Sequence, residues 1–274
     1  MTSVVGRPHP ALAGLVDRYV GFREDLDPRA IHHGLPSTTV TVILAFDEPL
    51  DVEWHGGRQR FWTLAGALHT RPAIVHTHGF QHGIQLGLSP MGVRLLLGLT
   101  AGDLRGANAD HELLPGGVDR ATHARITQAP DWPARFGLLD ECLLGVLARA
   151  SRPPVPDDLA EAWRLVVAGG GRLGVDALAA RVGWSRRHLS TRFRAEFGVT
   201  PKEALRLARF ERAHRLAGAG MPLGDVAAAA GYADQAHLTR EWRGFAGRPP
   251  AATLAEVFPI VQDEGDATVG TLAA

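Results

Sequence analysis

The spacing of apolar residues changes twice along the first ninety positions. Leu12, Leu15, Val16 and Tyr19 recur at helical intervals and predict a short opening helix from about Pro10 to Phe22. The segment Thr39-Val40-Thr41-Val42-Ile43-Leu44-Ala45-Phe46 is instead β-branched and alternating, and it runs into a turn at Asp47-Glu48-Pro49. Four more short strands are expected, from Asp51 to His55, Phe61 to Ala67, Ala73 to His78 and Gly83 to Leu88. Turn residues at Gly56-Gly57, Arg71-Pro72 and Ser89-Pro90 separate them. Short strands at this spacing predict an antiparallel sandwich or barrel.

Helical spacing then returns. A short apolar helix is expected from Gly92 to Leu99. A longer one runs from Trp132 to Ala150, with Leu138, Leu139, Cys142, Leu143, Val146 and Leu147 on a wide stripe. That stripe suits packing on the chain's own sheet or pairing with a second subunit. The run Ser151-Arg152-Pro153-Pro154-Val155-Pro156 cannot continue a helix and marks a linker. Asp157 or Asp158 can cap a helix over Leu159 to Val167, which Gly169-Gly170-Gly171 ends. The expected class is α+β, with a β-rich domain over 1–150, the linker over 151–156, a helical domain over 157–256 and an acidic, flexible tail over 257–274.

Within the helical domain one pattern is written twice. Leu189 and Leu238, Phe193 and Trp242, and Pro201 and Pro250 are each 49 residues apart, while Gly183 and Gly231 are 48 apart. The second copy therefore carries one extra residue in its turn. In the first copy Val175, Leu178, Ala179 and Val182 form one buried face, Gly183 permits a sharp turn and Ser185 caps the next helix. In the second, Val226, Ala227 and Ala230 face inward, Gly231-Tyr232 turn the chain, and Leu238 and Trp242 anchor the following helix. Pro201 suits the first position of a helix running to about Ala217, roughly 25 Å at the usual rise. Two helix-turn-helix units on such a strut suit neighbouring turns of one duplex, about 34 Å apart.

Charge sharpens this picture. The whole chain has 29 Lys and Arg against 29 Asp and Glu. From Arg172 to Arg248, however, 14 basic residues face 7 acidic ones, an excess of about +7 that the remainder balances. A basic segment joined to an acidic one fits a nucleic-acid binder with a separate sensing or assembly domain. The single Cys142 excludes an internal disulfide and suggests a reducing compartment. No apolar leader opens the chain and no long apolar run occurs, so a cytoplasmic protein is expected.

Residues from about Gly174 to Leu254 resemble the DNA-binding domain of the AraC/XylS family of transcription regulators. Ser185 to Pro201, Gly231-Tyr232-Ala233-Asp234-Gln235 through Trp242, Gly247 and Pro250 carry the likeness. It implies two helix-turn-helix motifs on adjacent major-groove segments of double-stranded DNA. Carried over by position, it implicates Arg187, Ser190 and Thr191 in the first helix and Gln235, Ala236, Thr239 and Arg240 in the second. From residue chemistry, Arg186 joins the outward set, Arg192 and Arg194 suit phosphates, and Arg243 is a further DNA-binding candidate. Ala236 in place of a commoner polar residue, the acidic Glu241 and the order Phe245-Ala246 depart from the family pattern and shift the expected grip toward the first helix. The family also implies a cupin-like N-terminal barrel that takes a small-molecule effector or pairs two subunits, and contact with RNA polymerase.

His76-Thr77-His78-Gly79-Phe80-Gln81-His82 is the remaining chemical signal. His76 and His78 on one strand face, completed by His82, would suit a metal. The cluster bears a faint likeness to the metal motif of cupin enzymes, but His82 stands where those place Glu, and no second ligand motif follows. Hydrogen-bonded structural histidines are the preferred reading, with no cofactor and no catalysis; a metal-dependent enzyme or metal sensor is the alternative. Trp54, Trp62, His76, His78 and Gln85 are candidates to line an effector cavity, subject to which way each strand faces.

Overall fold

Alternation along the N-terminal segments resolves into two packed antiparallel sheets in a computed structural model, which describes residues 2–54, 56–105, 108–110 and 114–255. The strands are β1 (Thr2–Gly6), β2 (Val16–Asp25), β3 (Ile31–Gly34), β4 (Val40–Ala45), β5 (Leu50–Trp54), β6 (Gly57–Phe61), β7 (Thr63–Gly66), β8 (Ala73–His76), β9 (Phe80–Leu88) and β10 (Asn108–Asp110). One sheet has the order β1-β2-β9-β4-β7-β10 and the other β3-β8-β5-β6. Phe22, Ile43 and Leu64 from the first sheet meet Leu50, Val52, Phe61 and Val75 from the second in one buried cluster. At Trp62 the chain crosses from one sheet to the other, which splits the strand expected over Phe61 to Ala67 between β6 and β7.

Where a helix was expected, from Pro10 to Phe22, the chain instead makes a 3-10 turn at Pro10–Leu12 and then β2. The cause is a β-bulge. Val16 pairs with Leu88 and Tyr19 with Leu86, so two residues three apart on β2 face partners two apart on β9. That extra residue imitates helical spacing. It also points Val16 and Tyr19 at the same core, together with Leu12.

The outer face of the six-stranded sheet is covered by helices. A short helix α1 (Pro90–Gly92) runs into a π-helical turn (Val93–Leu97), followed by α2 (Arg120–Gln128) and α3 (Trp132–Ala148). Phe136, Leu139 and Leu143 of α3 are buried with Tyr19, Leu44, Ile84 and Leu86. The approach is close: a Cβ on Gly21 would lie 2.3 Å from the Trp132 ring.

The C-terminal half is helical: α4 (Asp157–Ala168), α5 (Val175–Arg181), α6 (Arg186–Phe197), α7 (Pro201–Gly218), α8 (Leu223–Ala230), α9 (Gln235–Ala246) and α10 (Pro250–Leu254). Here α7 is the strut between two cores. Its Ala204, Leu205 and Ala208 join the first, which is continuous with the N-terminal sheet, while Leu207, Phe210, Ala213 and Ala217 join the second. Thr200 and Glu203 form a reciprocal capping box that fixes where α7 begins. The expected tail over 257–274 and His55 lie outside the described residues.

Candidate nucleic-acid interface

Each helix-turn-helix unit is anchored from inside. Leu189, Phe193 and Phe197 of α6 are fully buried. Their rings meet Trp163 of α4, with centroids 5.7 Å (Phe193) and 4.7 Å (Phe197) away. In the second unit, Leu238, Trp242 and Phe245 of α9 are buried, and Phe210 of α7 lies 5.3 Å from Trp242 and 4.9 Å from Phe245. The order Phe245-Ala246 thus serves packing, since both residues are buried. The Trp242 indole N–H donates to Thr253 Oγ1 at 3.0 Å, so even this buried polar atom is satisfied.

Capping sets where the two outward helices start. Ser185 Oγ accepts from the His188 N–H at 3.2 Å, and Asp234 Oδ1 accepts from the His237 N–H at 2.6 Å. Gly183 and Gly231 hold the turns with φ of 72° and 83°, a region that other residues enter at a cost. From Gly183 to the first residue of α6 is three positions, and from Gly231 to that of α9 is four. The extra residue of the second repeat therefore falls in its turn, as its spacing predicts.

Arg186, Arg187, Thr191, Arg192 and Arg194 are exposed and Ser190 is half-buried. Ser190, Thr191 and Arg194 line one groove, and Arg187 shares their face by helical spacing. Arg192 does not border that groove. Arg186 is turned back toward α5, with Nε 3.0 Å from Asp176 Oδ1. On α9, Gln235, Ala236, Thr239, Arg240 and Arg243 all line a single shallow groove open to solvent. The Thr239 hydroxyl donates to the Gln235 carbonyl at 2.8 Å, which leaves its lone pairs and methyl group facing out. Glu241 points inward: Oε1 accepts from Arg206 Nε at 2.6 Å, tying α9 to α7.

Sequence reasoning missed how the N-terminal domain grips this module. Arg94 Nη1 donates to both carboxylate oxygens of Glu196 at 2.8 Å, and its Nε donates to the Pro153 carbonyl. Glu211 on α7 accepts from the Thr38 N–H at 2.6 Å and hydroxyl at 2.8 Å. Arg248 bonds His33. These partners lie 59 to 215 residues apart, beyond the reach of any local pattern.

The histidines do not converge. His76 at the end of β8 bonds Glu53 at 3.1 Å; His78, two residues beyond, bonds Asp51 at 2.8 Å and borders one small pocket with His82, which bonds a different carboxylate, Asp47. Among the described residues, no group of three or more His, Cys, Asp or Glu is placed to hold a metal ion. The Arg58 guanidinium, with help from His78 and Arg60, holds the buried Asp51 carboxyl far below the usual carboxylate range. His82 Nδ1 lies 2.8 Å from Asp47 and its Nε2 3.0 Å from Arg135. A guanidinium only donates, so Nε2 accepts, Nδ1 carries the proton and the ring is neutral. Burial, opposed by the Asp47 hydrogen bond, lowers the pKa of this ring.

The five residues expected to line an effector cavity are likewise dispersed. Gln85 pairs in register with Ile43 and faces between the sheets, and the half-buried Trp54 lies edge-on to His69. Trp62 is 48% exposed, and His76 and His78 are held by Glu53 and Asp51.

A family model described as a helix-turn-helix domain matches residues 178–256, the span that contains both units. Residues 178–256 thus carry a helix-turn-helix domain, as the doubled sequence pattern predicts. The chain is a DNA-binding transcription regulator. Among solved structures, an apo ToxT variant from Vibrio cholerae aligns at TM-score 0.57 and 11% identity, over 86% of this chain and 96% of that one. Wild-type ToxT with a bound unsaturated fatty acid aligns at 0.54 and 13%, over 86% and 94%. At such identity the likeness is one of fold, and it spans the N-terminal sheets as well as the C-terminal helices. No curated protein matches the chain by sequence. No described helix is long and apolar enough to cross a membrane.

Proposed function

We propose that this protein is a sequence-specific regulator of the AraC/XylS type that reads two neighbouring major-groove segments, one with α6 and one with α9. The observation that carries the reading is the doubled geometry. Two capped helices, repeated 49 residues apart, each bury an aromatic anchor and each present a solvent-open groove edged by Arg and small polar residues. Arg187 and Arg240 are assigned to guanine and Gln235 to adenine, with Ser190, Thr191, Ala236 and Thr239 completing the base-facing set. Arg192, Arg194 and Arg243 are assigned to phosphates. Arg186 joins them only by giving up Asp176, an exposed pair that holds it weakly.

Control is assigned to the N-terminal domain over 1–150, through a small molecule or through pairing of two copies. A fatty acid bound to a protein of the same fold supports the first route. The Arg94–Glu196 and Glu211–Thr38 contacts supply a physical connection by which the domain biases both helices. Contact with RNA polymerase and action in the cytoplasm belong to the same reading.

Genome-wide footprinting tests it. The expected result is protection at discrete sites, each spanning two segments about one helical turn apart. Even coverage of the chromosome without preferred sites would overturn it.

A further inference from the structure

The groove along α6 has a second wall, and that wall belongs to the N-terminal domain. Beside Ser190, Thr191, Arg194, Ala195 and Thr200, it is lined by Gly102, Asp103 and Arg105. The loop is seated by backbone contact. The Gly102 N–H donates to the Glu196 carbonyl at 2.9 Å, and a Cβ on Gly102 would lie 2.1 Å from the Ala195 carbonyl oxygen. Arg105 Cβ lies 3.4 Å from the position a Cβ on Gly198 would take, at the end of α6. Arg105 is therefore held beside the outward face of the helix, next to Arg194.

The charges of this loop are not equivalent. Asp103 is engaged inside it, accepting from the Thr100 N–H at 2.7 Å, and Arg152 approaches the same carboxylate at 3.8 Å. The Arg105 backbone N–H donates to the Gly102 carbonyl at 3.2 Å, while its exposed side chain makes no hydrogen bond or ion pair among the described residues. A helix lying in a major groove is flanked by the two phosphate rows that border the groove. A cation standing beside such a helix meets phosphate rather than base edges.

We propose that Arg105 is a DNA-phosphate contact supplied by the N-terminal domain, so that the first reading unit is completed by a residue outside the helix-turn-helix module. The inference rests on α6 being a reading helix, as proposed above. It makes DNA affinity depend directly on how the N-terminal domain is docked.

The test uses the full chain and two duplexes, one carrying a footprinted site and one of equal length without it. Affinities of the parent, Arg105→Ala, Arg105→Lys and Arg187→Ala are measured across a range of salt concentrations. For Arg105→Ala the expected result is a several-fold loss on both duplexes at low salt, with a salt slope shallower by about one. Arg105→Lys should restore most of the affinity, and the melting temperature of Arg105→Ala should match the parent, since no contact is lost. Unchanged affinity and slope for Arg105→Ala, with Arg187→Ala still impaired on the site duplex, would overturn this inference alone. Tighter binding by Arg105→Ala would show that the loop obstructs DNA, and would also overturn it. A parent that binds neither duplex would overturn the reading of α6 itself.

Discussion

Arg94 in the π-helical turn of the N-terminal domain donates to both carboxylate oxygens of Glu196, the penultimate residue of the first outward helix. Both side chains are nearly buried, at 14% and 10% exposure. A charge at this depth is tolerable only with its partner, so truncating one side leaves the other stranded. Arg94→Ala should lower unfolding stability by about 3 kcal/mol. The double variant Arg94→Met with Glu196→Leu should recover much of the loss. Chemical denaturation of the four proteins in a double-mutant cycle measures the coupling; additive effects would mean the pair holds nothing together.

Two glycines separate backbone conformation from close approach. A Cβ on Gly183 meets nothing within 4 Å, so Gly183→Ala carries only the strain of a left-handed residue, about 1 kcal/mol. A Cβ on Gly102 runs into the Ala195 carbonyl at 2.1 Å. Gly102→Ala should therefore destabilise by about 1–3 kcal/mol as an overpacking change. It should also raise protease sensitivity at the junction, whereas Gly183→Ala should not. Melting curves and limited proteolysis of both variants distinguish the two causes.

The ring of His82 supplies a pH dependence whose sign is fixed by its partners. Burial is the largest influence and disfavours the charged imidazole, as do Arg135 and Arg23, and together they prevail over Asp47, which favours it. The folded pKa therefore lies below the unfolded one. The stability this provides is complete above about pH 6.5, the ordinary value, and is lost as pH falls through the folded value. Parent stability should decline as the solution is acidified below that point, and His82→Gln should flatten the decline. Urea midpoints taken from pH 7.5 to 5.0 check it; identical slopes for the two proteins would contradict it.

What was legible in the chain follows from the range of the interactions. Leu189, Phe193, Leu238 and Trp242, the caps and the turn glycines all signal within a dozen residues, and both units were readable down to the extra residue in the second turn. The opening segment misled because a bulge between Val16 and Tyr19 gave a strand the spacing of a helix. β1, β3, β6 and β10 escaped notice, and the exposed Arg58, Gln59 and Arg60 show why for β6: it offers little apolar alternation. The facing of His76, His78 and Trp62 depended on where the chain crosses between sheets, which no local pattern records. Arg94, Thr38 and Arg105 emerged only from tertiary contact.

The effect of Arg240→Ala should be confined to one half of the site. It removes a groove-lining guanidinium on α9, and its side chain is exposed. A loss of about 1–3 kcal/mol at one base position in the segment read by α9 is expected, with the melting temperature unchanged. Competition binding against single-base variants of the site measures it.

The central claim is that two helices of one chain read two adjacent groove segments, and selection of bound sequences from a randomised duplex tests it most directly. With the parent, Arg187→Ala and Arg240→Ala proteins side by side, the account predicts a bipartite preference about one helical turn long in spacing. Arg187→Ala should relax only the segment facing α6, and Arg240→Ala only the segment facing α9. A single contiguous preference, or a bipartite one that neither substitution alters, would contradict it.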